Sequence, residues 1–99
     1  MTQMDLFQVA SQVNDEHSFL EFVAALVRDW ENEREIERVN PAPPYEPGAL
    51  GWENGSIGTY LDAAYQWAMA SKDGLRSYVL PTNPWTRAAQ ILFAGKFYE

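Results

Sequence analysis

The chain has 99 residues, fourteen acids against seven bases, and no cysteine. That length makes a single domain with a core of modest size, and the missing thiols exclude disulfides, thiolate metal sites and a cysteine nucleophile. A net charge of −7 repels phosphate, so nucleic acid and anionic membranes are not expected partners.

The apolar fraction of 46% is ordinary for a globular protein and too high for a disordered one. A single histidine cannot build a multi-histidine metal site, so neither metal nor cofactor is expected. No apolar run approaches the ~20 residues of a membrane span. The opening Met1-Thr2-Gln3-Met4-Asp5 lacks the basic flank of a signal peptide, and a cytoplasmic domain is the expectation. Residues 1–50 hold ten acids and three bases, whereas residues 51–99 hold four of each, so the first half carries the net charge.

The first periodic signal covers residues 4–13. Leu6, Val9, Ala10 and Val13 fall at i, i+3, i+4 and i+7, one face of a helix. Asn14-Asp15 then supplies a break and an N-cap. The second helix carries an apolar stripe of Phe19, Phe22, Val23, Leu26, Val27 and Trp30, wide enough to face a core. After Trp30 the positions that would continue the stripe are Glu33, Arg34 and Glu37. The helix either ends there or runs on into solvent. Composition favours continuation, since no Gly or Pro appears before Pro41 and Glu31–Arg34 and Glu35–Arg38 are favourable i, i+3 pairs.

Residues 40–51 carry four of the six prolines and read as an extended connector. They contain the loosest polyproline-ligand spacing, without a flanking Arg or Lys to orient it. Asn54 or Ser56 caps a third helix, with Trp52 just before it and Ile57, Tyr60, Leu61, Ala64, Trp67 and Ala68 as its buried face. Asp73-Gly74 stops that helix, the glycine taking a left-handed backbone. Leu75 to Leu80 reads equally as a short helical turn or an irregular strap. Asn83 then caps a last helix with Pro84 at its first position. Apolar residues surround that helix on most sides, so it is expected at the centre. No segment alternates with period two, and the fold class is therefore all-α. A single-domain bundle of about four helices spans 1–99, with a proline-rich connector between the second and third helices.

Catalytic signals are weak. His17 has Glu16 and Ser18 as neighbours, but side chains at i, i+1 on a helix point apart, so no triad forms there. No Asp or Glu interrupts the centre of an apolar stripe, where burial would tune an acid. Glu33 and Glu37 are the least poor candidates for such an acid. The glycines lack the spacing of a phosphate loop. Packing explains Trp30, Trp67 and Trp85 better than a ligand box does. Trp52, in a connector, is a staple for the helix start or a semi-exposed interface anchor.

Several of these positions carry a resemblance. Phe19-x-x-Phe22, Trp52-x-Asn54, Tyr60-Leu61, Trp67, Pro84-Trp85, Ala88, Leu92 and Tyr98-Glu99 are similar in order and spacing to a family of small acidic bacterial proteins, a domain of unknown function. The resemblance covers about residues 13–99. It implies a bacterial, cytoplasmic, stand-alone domain and brings no catalytic residue with it.

Two functions follow as expectations. The first is a non-enzymatic acidic domain that binds another protein, with immunity or antitoxin action against a basic toxin as its sharpest form. Its contact residues are expected to be Asp29, Glu33, Ile36, Glu37, Val39 and Trp52, the first five on a projecting acidic ridge. The second is a small-molecule-binding or enzymatic domain with a pocket near Trp52 and Trp67. A third, duller option is a structural or oligomerising module without a partner of another kind.

Overall fold

A computed structural model describes residues 5–44 and 46–99. Met4, where the first helix was expected to begin, and Tyr45 of the connector lie outside them. Four helices follow in order: α1 (Leu6–Ser11), α2 (Glu16–Val39), α3 (Ile57–Ser71) and α4 (Pro84–Gly95). Among the described residues there is no strand, only one isolated bridge between Leu75 and Tyr78. The chain is an all-α bundle, as its periodicity requires. No helix among these residues is long and apolar enough to cross a membrane.

Each helix start is set by a short polar side chain that accepts the otherwise unpaired N–H groups of the first turn. Asp5 accepts from Phe7 and Gln8. Asp15 accepts from the Ser18 N–H at 2.8 Å, and the Ser18 hydroxyl bonds back across the same turn. Ser56 forms the equivalent box with Thr59. Asn83 caps α4 with Pro84 inside the first turn. Gly74 has φ +87°, the left-handed conformation expected of it.

α2 does continue past Trp30. Its 24 residues span about 36 Å, most of the molecule's 42 Å long axis. Of the two expected ion pairs along it, Glu35–Arg38 forms with bonds of 3.1 and 2.6 Å. Arg34 instead pairs with Glu33 at 2.7 Å.

α4 packs against all three other helices, the central position expected of it. The core joins Phe22 and Leu26 of α2, Ala89 of α4, Leu6, Ala10 and Val13 of the first segment, and Trp52. Trp30, Tyr60 and Leu92 pack on its edge. Ala64 is buried too, but three residues expected inside are not. Val27 is 49% exposed, Leu61 58% and Ile57 81%. α2 and α3 each pack on α4 and not on each other, so among the described residues no helix covers the sides that face across the gap.

The segment from Leu75 to Leu80 is an irregular strap. Arg87 of α4 anchors it, donating to Ser71 Oγ at 2.9 Å, Tyr78 Oη at 3.2 Å and Ala68 O at 2.8 Å. Trp67 packs edge-on against Tyr78, with centroids 5.0 Å apart, beneath the Arg87 guanidinium.

Candidate functional site

The connector dictates the first part of the site. Proline has no N–H, but every other residue of an extended segment has one to satisfy. Ala42, Ala49, Leu50 and Trp52 find their acceptors on α2. Glu37 accepts from Ala42 at 2.7 Å and Ala49 at 3.1 Å. Glu33 accepts from Leu50 at 2.8 Å and Trp52 at 3.1 Å. Asp29 accepts from the Trp52 indole at 2.8 Å and from Lys96 at 2.8 Å. The carboxylates at i, i+4 and i+8 thus form a ladder along α2, and the connector is laid on it.

This corrects the expected open ridge. Asp29 is buried, Glu33 is fully enclosed at 0% exposure, and Glu37 is half-buried. The like charges on successive turns are compensated by backbone N–H donors and two cations, Lys96 for Asp29 and Arg34 for Glu33. Ile36 and Val39 are exposed, as expected. Trp52 is 8% exposed rather than semi-exposed. It packs edge-on against Trp30 at 5.3 Å and beside Tyr60 at 6.0 Å. His17 lies in solvent, 3.0 Å from Glu21.

Gly48 shows how tightly the connector seats. A Cβ there would fall 2.1 Å from Glu33 Oε1. Beyond Trp52, Glu53 and Asn54 both donate their N–H to Lys96 O, and the Asn54 amide donates to the carbonyls of Gly95 and Tyr98. Asn54 therefore closes the end of α4, while Ser56 caps α3.

The second part of the site is an open groove of about 470 Å³ between α2 and the start of α3. Val23, Leu26, Val27 and Trp30 form one wall and Ile57, Tyr60 and Leu61 the other. Trp52 and Leu92 also line it, as does the Asn54-Gly55-Ser56 turn. The expected pocket near Trp52 is thus present, but Trp67 is not part of it.

The groove's chemistry is apolar. Among the described residues that line it, Tyr60 is the one titratable group. That hydroxyl donates to Leu92 O at 2.7 Å, and burial pushes its pKa up to about 12. Asn54 and Ser56 already have hydrogen-bond partners within the chain. The lining offers contact area and shape, and no group placed to donate or take a proton at neutral pH. Among the described residues no three His, Asp or Glu side chains converge to hold a metal ion.

The sequence points to a pocket near Trp52 but not to its open walls, because the residues that form them look like core. Ile57 and Leu61 continue the apolar face of α3, and Val27 that of α2. The one available signal was excess: the α2 stripe widens at Val23 and Val27 beyond what a single neighbouring helix covers. Lys96 was missed because its partner, Asp29, lies 67 positions away in sequence.

A family model described as a family of unknown function, DUF7660, matches residues 15–99, and the chain belongs to that family. No curated protein and no solved structure matches the chain.

Proposed function

We propose that this member of the DUF7660 family is a non-enzymatic binding domain whose α2–α3 groove takes an apolar segment of another protein. The observation that carries this reading is the groove itself: an open apolar trough with Val27, Ile57 and Leu61 left largely in solvent. Contiguous exposed apolar surface of this kind marks interaction sites in proteins of this size. The lining supports binding over catalysis, because it supplies aliphatic and aromatic contact without a general acid or base. Neutralising a basic toxin, in the manner of an immunity protein or antitoxin, is the sharpest instance of such binding, and the net charge of −7 supports it.

The test places a photo-activated cross-linking amino acid at position 61, and at the exposed position 8 on α1 as control, in cells that make the protein. The expected result is an adduct specific to position 61. Its purified partner should bind the wild-type chain and lose at least about tenfold in affinity to Leu61→Glu. Identical adducts at both positions, or binding indifferent to Leu61→Glu, defeat the reading.

A second reading rests on size. A volume of about 470 Å³ lies within the range of small-molecule pockets, so a small apolar ligand fits the same groove. Native mass spectrometry separates the two. A bound small molecule lost from Leu61→Glu favours the ligand.

A further inference from the structure

We propose that Asn54 is a site of spontaneous deamidation, its side-chain amide lost to attack by the Gly55 nitrogen and then by water, and that the reaction irreversibly frees the end of the chain. The five asparagines do not compete equally for this chemistry. Its nucleophile is the backbone nitrogen of the next residue, which must carry a proton to give up. Asn40 and Asn83 precede prolines, which have no N–H. Asn32 precedes Glu33 inside α2, where the backbone N–H is spent on the helix. Asn14 precedes Asp15, whose N–H donates to Ser18 Oγ at 3.2 Å. Gly55 is exposed, and among the described residues its N–H has no acceptor. A Cβ built on Gly55 would meet nothing within 4 Å, and the glycine has none of its own to obstruct ring closure. Of the five, Asn54 alone has a following nitrogen that is both free and unhindered.

The reaction balances with water as its one co-reactant. Gly55 N bonds to Asn54 Cγ and gives up its proton. The Cγ–Nδ2 bond breaks, and the amide leaves as ammonia with that proton. Water then opens the resulting succinimide ring, its hydroxyl going to a carbonyl carbon and its proton to the ring nitrogen. Opening on the side-chain side leaves an aspartate at position 54. Opening on the main-chain side leaves an isoaspartate, its backbone rerouted through Cγ.

The fold governs both the rate and the consequence. Asn54 Nδ2 donates to Gly95 O at 3.1 Å and to Tyr98 O at 3.0 Å, so both amide hydrogens are used. Expelling that amide breaks both bonds, and the reaction therefore waits on local opening of the chain's end. The product carboxylate has no hydrogen to return, and its oxygens would face two carbonyl oxygens. Lys96, the cation of the same turn, is already held by Asp29 at 2.8 Å. The end of the chain does not reseat. Asn54 also lines the α2–α3 groove, so the new charge falls on an apolar trough.

The test incubates the full chain at mildly alkaline pH and follows acid formation at each asparagine by peptide mapping and mass spectrometry. A synthetic peptide of residues 50–60 is the unstructured control. Hydrogen exchange at the Tyr98 N–H, which donates to Ala94 O at 2.9 Å, reports opening of the chain's end. Acid should form first at position 54, at least about tenfold more slowly than in the peptide. Sub-denaturing urea should speed it in step with Tyr98 exchange. Gly55→Ala should slow it several-fold in chain and peptide alike, because a methyl then crowds the nucleophile. Asn54→Asp, which mimics the product, should speed Tyr98 exchange about tenfold with helical circular dichroism unchanged, and Asn54→Ala, which removes the donors without adding charge, should speed it less.

If Asn54→Asp fails to fold, the aged wild-type fraction, separated by its extra negative charge, supplies the same exchange measurement. Acid forming as fast in the folded chain as in the peptide overturns the gating by the chain's end. Acid spread over the other asparagines, or an amide at position 54 that persists in urea that fully opens the Tyr98 N–H, overturns the site itself. Tyr98 exchange unchanged in the product overturns the release.

Discussion

Asp29 and Lys96 meet at 2.8 Å with both side chains 9% exposed. A pair buried so far contributes less through its own attraction than its breakage would cost, since one partner alone is an uncompensated charge. Lys96→Met should therefore destabilise the fold by about 3–5 kcal/mol, measured by urea denaturation. Adding Asp29→Asn should restore part of that loss, because the amide oxygen still accepts the Trp52 indole proton while the stranded charge is gone. Tyr60 gives a pH-dependent counterpart. Burial raises its folded pKa to about 12, above the value of about 10 for an unfolded chain. The folded state thus holds this proton more tightly. The stability associated with it is intact below about pH 10 and is lost as pH rises toward 12. Urea midpoints measured across that window should fall more steeply for wild type than for Tyr60→Phe.

Apart from Leu50, which packs on the core, the connector is held by acceptors on α2, so the ladder is where that element should fail. Glu33→Leu removes the acceptor for both Leu50 and Trp52 and should cost at least about 2 kcal/mol. Gly48→Ala should act on the same point from the other side. Its methyl would overlap a carboxylate already held by two N–H groups and Arg34, and a loss of about 1–3 kcal/mol in thermal denaturation is expected. Both variants should sensitise residues 40–51 to proteolysis before the helices. The sequence places Glu33 and Glu37 on the correct side of α2, where their period continues the apolar stripe. It does not show what they meet there. A carboxylate facing solvent and one facing unpaired N–H groups have the same spacing, and only the path of the connector distinguishes them. The caps at Asp15, Ser56 and Asn83 were legible because their partners lie within three residues.

For the whole molecule, α4 is the common contact surface, and its near-continuous apolar periphery made that readable in advance. Leu26, buried where α2 packs into this core, should cost about 2–5 kcal/mol when changed to Ala. Leu61→Ala, by contrast, should stay within about 0.5 kcal/mol, as for a surface site. Equal costs at the two positions in the same urea titrations would mean that the groove is closed in solution. Periodicity marks both residues as inward because it counts apolar positions and not the neighbours available to cover them. A bundle in which α4 takes the centre leaves one side each of α2 and α3 without a partner, and that shortage of cover is a property of the assembled bundle.

The central place of the last helix also sets an order of events during synthesis. Val13 receives its bond from Thr86, Asn14 from Asn83, and Asp29 from Lys96, so partners made early wait for residues made 67 to 73 positions later. Until α4 has left the ribosome, α1 and α2 have only each other to pack on, and α3 has no helical neighbour. At about 5–20 residues per second, the nascent chain carries them in that state for several seconds. A nascent chain halted before α4 emerges should therefore remain a substrate for holding chaperones.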